Sequence, residues 1–148
     1  MSIRAAVISD THGLLRPQVI DIVMECDYTL HCGDFTNELV YTDLRSLSKL
    51  IAVRGNNDWA LDLPERLAVR LGGVEIFMVH DKYDVPRDIS ADIVLFGHSH
   101  RYFEEEKDGV LWLNPGSCGK HRWGTDLSMA ILTLEDGKWS VERIDLDE

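Results

Sequence analysis

Apolar residues along the chain fall into short continuous runs separated by segments of helical periodicity. Ile3–Ile8, interrupted only by Arg4, reads as a strand buried on both faces. Leu15, Val19, Ile22, Val23 and Cys26 follow helical spacing, and Pro17 suits a first helical turn. Tyr28–His31 reads as a second strand. Leu39, Val40, Leu44 and Leu47 predict a second amphipathic helix, with Thr36 as its N-cap. Leu50–Val53 completes a β-α-β-α-β opening, which implies a parallel sheet with right-handed crossovers. The second half changes character. Gly72-Gly73 joins strands at about 66–71 and 74–79, and Asp92–Phe96 is a further buried strand. Asp108-Gly109 joins Arg101–Glu106 to Val110–Leu113, and Asp136-Gly137 joins Leu127–Leu134 to Lys138–Ile144. The pattern is a strand-rich mixed α/β layer structure with short helices outside.

Composition narrows this picture. The 148 residues fit one domain, 1–148, with one real core. No apolar run approaches the ~18 residues of a membrane span. The N-terminal stretch breaks at Ser9-Asp10, unlike a signal peptide. Cys26, Cys32 and Cys118 are odd in number and lack CxxC spacing, which argues against a disulfide framework and for a reducing cytoplasm. A net charge of −11 disfavours a long nucleic acid as partner. A small anion remains acceptable if the site itself is cationic.

The chemistry lies just beyond the buried runs. Ile3–Ile8 leads into Asp10 and His12, Tyr28–His31 into Gly33-Asp34, and Leu50–Val53 into Arg54-Gly55-Asn56-Asn57-Asp58. Val74–Val79 leads into His80, and Asp92–Phe96 into Gly97-His98-Ser99-His100. Strands lying side by side in similar directions would deliver all of these to one sheet edge, where open α/β sheets bind ligands. Alone, D-x-H is expected about 0.6 times in a chain of this composition and G-D about once, whereas G-H-x-H is expected roughly 0.02 times. The shared position after strands, in order, is the signal. Two carboxylates about 4 Å apart repel by roughly 4 kcal/mol at an effective dielectric near 20. Asp10 and Asp34 can therefore share one volume only with protons or cations between them. Mixed imidazole and oxygen donors suit Mn, Fe, Zn, Co or Ni.

As an ordered set, Asp10/His12, Gly33-Asp34, Gly55-Asn56-Asn57-Asp58, His80 and Gly97-His98-Ser99-His100 resemble the calcineurin-like metallophosphoesterase superfamily. The resemblance runs from residue 3 to about 117. It ends in Asn114-Pro115-Gly116-Ser117, typical of the small bacterial and archaeal phosphodiesterase branch, to which the retromer scaffold subunit is also related. It implies a four-layer αββα sandwich of two mixed sheets flanked by short helices, with a binuclear centre. By position, Asp10, His12 and His100 would hold one divalent ion and Asn56, His80 and His98 the other, with Asp34 bridging. Manganese is the first choice, with nickel, cobalt, zinc or iron compatible. The implied reaction is attack on phosphorus by metal-bound hydroxide, with a small phosphodiester as substrate. Arg54 and Asn57 are candidate donors to the phosphoryl group. The resemblance also departs in two places. Asn57 stands where many relatives carry a histidine, so no acid is available there for the leaving group. Asp81 replaces the usual glycine, either adding negative charge to the site or pointing away.

Residues outside the set read more plainly. His31 is expected in the core behind the ligands, and His121 in a surface loop. Trp59 and Trp123 either line a pocket or pack elsewhere, and Cys32 is inert packing. Glu104-Glu105-Glu106 reads as a solvated strand edge. A homodimer is the base expectation for a soluble domain. The rival readings are a non-catalytic scaffold on the same fold and a single-iron oxygenase, for which seven ligands are too many.

Overall fold

A computed structural model describes residues 2–120 and 124–146. His121 and Trp123 lie outside the described residues. The predicted opening is present as β1 (Ile3–Ile8), α1 (Pro17–Met24), β2 (Tyr28–His31), α2 (Glu38–Leu47) and β3 (Lys49–Ala52). It is followed by β4 (Arg66–Leu71), β5 (Val74–Val79), β6 (Ile93–Leu95), β7 (Tyr102–Lys107), β8 (Val110–Pro115), β9 (Ser128–Glu135) and β10 (Lys138–Asp145). They form two mixed five-stranded sheets, ordered β10-β9-β1-β2-β3 and β4-β5-β6-β8-β7.

The continuous apolar runs arise because the central strands are covered on both faces. In β1, Ala5 and Val7 face the other sheet, while Ala6 and Ile8 face the helices. In β5, Val74, Ile76 and Met78 join the inter-sheet core, while Phe77 and Val79 face outward. Val19 and Val23 of α1 and Val40 and Leu44 of α2 cover the outer face of the first sheet. The outer face of the second sheet carries Val94, Phe96 and Trp112, packed under Val85, Ile89 and Ala91. A 3-10 turn at Lys82–Asp84 precedes that covering segment. The result is the expected layered α/β sandwich.

One local expectation is corrected. Asn37, not Thr36, caps α2: its backbone is extended (φ −144°) and its side chain accepts from the Leu39 and Val40 N–H groups. Thr36 has a positive φ of 63°, so it lacks the extended backbone of an N-cap, and its N–H is held by Asp58 instead. The acidic run Glu104–Glu106 lies on β7, an exposed strand at the edge of its sheet, where charge opposes pairing with another chain.

Two features of the topology make the site. β1, β2 and β3 are parallel, as are β5, β6 and β8. Within each sheet, the segments following these strands therefore emerge at one edge.

Candidate metal centre

The segments after β1 and β2 are laced together by backbone hydrogen bonds. Asp10 N–H donates to Gly33 C=O at 2.9 Å, His12 N–H to Asp34 C=O at 3.0 Å and Gly13 N–H to Phe35 C=O at 2.7 Å. The lacing needs left-handed backbone at Asp10, His12 and Asp34 (φ 55°, 48° and 66°), and His98 and His100 share it (75° and 64°). Non-glycine residues in that region cost of order 1 kcal/mol or more each, and they gather at functional sites. Close approach also dictates residue type. A Cβ at Gly55 would land on the Asp34 carboxylate, and one at Gly97 would land on the Ser9 hydroxyl and lie 2.8 Å from Asp10 Oδ2.

Asp10 is fully buried. Its Oδ2 accepts from the Ser9 hydroxyl at 2.7 Å and from the His98 N–H at 3.1 Å. Its Oδ1 accepts no hydrogen bond among the described residues. That oxygen instead faces three imidazole Nε2 atoms: His100 at 3.5 Å, His12 at 3.8 Å and His80 at 4.0 Å. Asp34 Oδ2 lies 3.5 Å from both His12 and His80 Nε2. His12 and His100 bring their Nε2 atoms within 3.2 Å of each other, and His98 Nδ1 lies 3.3 Å from His80 Nε2. The Asn56 side-chain amide lies 3.2 Å from both Asp34 oxygens and 3.1 Å from His80 Nε2, and its NH2 donates to the Asp34 carboxylate. All seven sequence-nominated ligands thus converge. Asp10, His12 and His100 form one group able to hold a metal ion, and Asp10, Asp34 and His80 another. The donors fit a divalent transition metal on the orphaned Asp10 oxygen and the mixed N/O chemistry.

Neighbouring residues hold these candidate ligands in place. His80 Nδ1 donates to Cys32 C=O at 2.7 Å, which aims its Nε2 inward. Asp58, buried, accepts from three backbone N–H groups: Asp34 (2.8 Å) and Gly55 (2.8 Å) on Oδ2, and Thr36 (2.9 Å) on Oδ1. One carboxylate therefore ties the segment after β2 to the segment after β3. Its sequence signal is its place in the quartet Gly55-Asn56-Asn57-Asp58. His31 is buried and stacks on Phe35 at 3.6 Å between ring centroids. Gly33 N–H donates to His31 Nδ1 at 3.0 Å, so the ring's proton sits on Nε2 and points to the Thr11 hydroxyl at 3.1 Å. Cys32 and Cys118 are buried thiols whose ionisation burial suppresses, the latter raised to about 12.

The two candidate phosphoryl donors stand differently. Asn57 donates its N–H to Asp34 Oδ1 (3.1 Å) and its side-chain amide to Oδ2 (3.2 Å). Arg54 pairs with Glu65 at 2.7 Å on the wall of a cleft of about 610 Å³, which Asn56, Trp59, His80 and His98 also line. The Asp81 carboxylate caps the 3-10 turn by accepting from the Tyr83 N–H, and Asp81 also lines this cleft.

Burial alone would raise the Asp34 carboxyl and lower His80. Burial is the largest single effect at each, but it is outweighed by the sum of their mutual hydrogen bond and charge attraction, with Asp10 and the Cys32 carbonyl adding at His80 and Asn57 and His12 at Asp34. Asp34 falls to about 2 and His80 rises to about 9. A proton on His80 thus serves the metal-free chain where a cation would sit. At His31 burial prevails and lowers it to about 3. The signs give a pH profile for the metal-free protein. His31 stays neutral when folded but takes a proton when unfolded, so stability falls as pH drops from 6.5 toward about 3. His80 binds its proton more tightly when folded, so its contribution fades as pH rises from 6.5 through about 9. Denaturation midpoints of chelator-treated protein should therefore peak near pH 6.5, and a midpoint rising steadily from pH 4 to 9 would contradict these assignments.

Comparison with known proteins gives one family. The model of the calcineurin-like phosphoesterase superfamily domain matches residues 3–137. A probable metallophosphoesterase of Bacillus subtilis, YsnB, is 33% identical over 153 residues, covering 94% of this chain and 89% of that one. Among solved structures, an archaeal phosphodiesterase superposes with a TM-score of 0.76 at 26% identity, covering 97% of this chain and 100% of the other. Vps29 of Entamoeba histolytica in complex with Zn2+ gives 0.73 at 25% identity, covering 98% and 100%.

Proposed function

The chain belongs to the calcineurin-like phosphoesterase superfamily, and from that premise we propose that it is a metal-dependent phosphodiesterase for small diesters. The observation that carries this reading is Asp10 Oδ1: buried, accepting no hydrogen bond among the described residues, and ringed by three imidazole nitrogens. Asp10, His12 and His100 would hold one divalent ion and Asn56, His80 and His98 the other, with Asp34 between them. When bound, such ions supply Lewis acidity toward the phosphoryl oxygens and make water nucleophilic near neutral pH. The protein's part is positional. Asp58 and the left-handed turns hold the ligands in place, and Asn57 orients both oxygens of Asp34. Arg54 stands on the cleft wall paired with Glu65, where an incoming phosphoryl group would compete for its guanidinium.

The group at the leaving-group position cannot act as an acid. Asn57 is an amide, and its donors are directed at Asp34. Substrates whose leaving group departs without protonation are therefore favoured. Chelation is expected to abolish hydrolysis of bis(4-nitrophenyl) phosphate, with recovery on adding Mn, Ni, Co or Zn. Turnover of bis(4-nitrophenyl) phosphate should exceed that of an alkyl monoester such as glycerol 2-phosphate, whose leaving group needs a proton, by about a hundredfold or more, the scale of one lost general acid. Faster turnover of an alkyl monoester would overturn the leaving-group argument. A non-catalytic scaffold is the reading that likeness to Vps29 favours. It predicts metal uptake with no turnover of any ester, and the same assay distinguishes the two.

A further inference from the structure

Beside the main cleft lies a second hollow of about 280 Å³, and Asp81 and His98 line both. A ligand whose phosphorus sits at the metal centre would reach this hollow past His98. Its walls are aromatic. Phe96 is buried, and its ring centroid lies 6.0 Å from that of Phe103. Phe103 is 38% exposed and Tyr83 84% exposed. The Lys82 ammonium stands 5.4 Å from the ring centroids of both Tyr83 and Phe103. Arg101 brings a second cation to the same lining, in a chain whose net charge is −11. Aromatic faces beside two cations complement a flat ring carried by an anion. The volume, near the lower end of small-ligand sites (about 300–1,000 Å³), suits one ring system.

We propose that this hollow is the subsite for a planar aromatic group, such as a nucleobase, esterified through its sugar or directly to the phosphorus. Tyr83 and Phe103 stack on the ring, and the Lys82 and Arg101 cations stand beside it in the same hollow. The inference rests on the phosphodiesterase reading for the position of the phosphorus, and its test separates the two. Adenosine 5′-monophosphate and ribose 5-phosphate carry the same phosphate and differ in the ring. Titration calorimetry on manganese-saturated protein is expected to show the former binding about tenfold more tightly, the scale of one base stacked on aromatic side chains. The Tyr83→Ala/Phe103→Ala variant should bind both alike. Lys82→Glu, a second and independent surface change, should weaken the nucleotide about fivefold or more. Equal binding by the unaltered protein, or a preference that survives the double variant, overturns the subsite. Turnover of bis(4-nitrophenyl) phosphate without a ring preference removes the subsite and keeps the hydrolase. A ring preference without turnover of any diester does the reverse.

Discussion

Asp34→Asn is expected to lower phosphodiester turnover by at least about a hundredfold while leaving the fold intact. Loss of an outer partner of a metal ligand already costs about 10–100-fold, and Asp34 is proposed to touch both ions directly. The substitution keeps the side chain's shape and can still accept from Asn57, so the turn around it has no steric reason to move. It removes the negative charge that lies 3.5 Å from both His12 and His80. Two cations there would then repel each other with less to hold them. Elemental analysis should show reduced metal content, while circular dichroism and the denaturation midpoint of metal-free protein show a folded chain. Turnover within a factor of a few of the parent would exclude the bridging role.

Asp58→Ala should be the most damaging single change outside the hydrophobic core, destabilising the protein by about 3–5 kcal/mol. A hydrogen bond to a charged group contributes roughly 1.5–3 kcal/mol, and stranding a buried donor adds the cost of its desolvation. Here three backbone N–H groups lose their acceptor at once. The Asn variant retains one oxygen and should lose about half as much. Urea denaturation with an unchanged slope measures both. A loss under about 1 kcal/mol for the alanine variant would mean that water or rearranged backbone takes over the three donors.

Much of this architecture was legible in the sequence, because β1, β5 and β6 are covered on both faces and so appear as apolar runs, broken by Arg4 in β1 and Glu75 in β5, that end in polar residues. The Gly72-Gly73, Asp108-Gly109 and Asp136-Gly137 turns were legible because they place positive φ where glycine tolerates it. What local pattern does not encode is long-range pairing. Nothing near β9 announces that it inserts beside β1, some 120 residues earlier in the chain. The ligands could be nominated from their order, but not their left-handed backbone, which the lacing between neighbouring loops imposes from outside each motif. Asp58 was visible as a residue but not as a support, because the backbone groups it holds at Asp34 and Thr36 come from a distant segment, whereas His31 stands behind the site as expected, stacked on Phe35. The misplaced cap of α2 has the same origin: Thr36 is claimed by Asp58 across the fold, which leaves Asn37 to begin the helix.

The two layers contribute unequally to the centre. The first sheet's loops bring both carboxylates, with His12 and Asn56, while the second sheet's loops bring only the imidazoles of His80, His98 and His100. Neither half offers a full set of donors, so an ion held as proposed would fasten one slab of the sandwich to the other like a rivet. Resistance to heat would then depend on metal supply, and starvation for the ion would loosen the seam between the slabs before it melts either one.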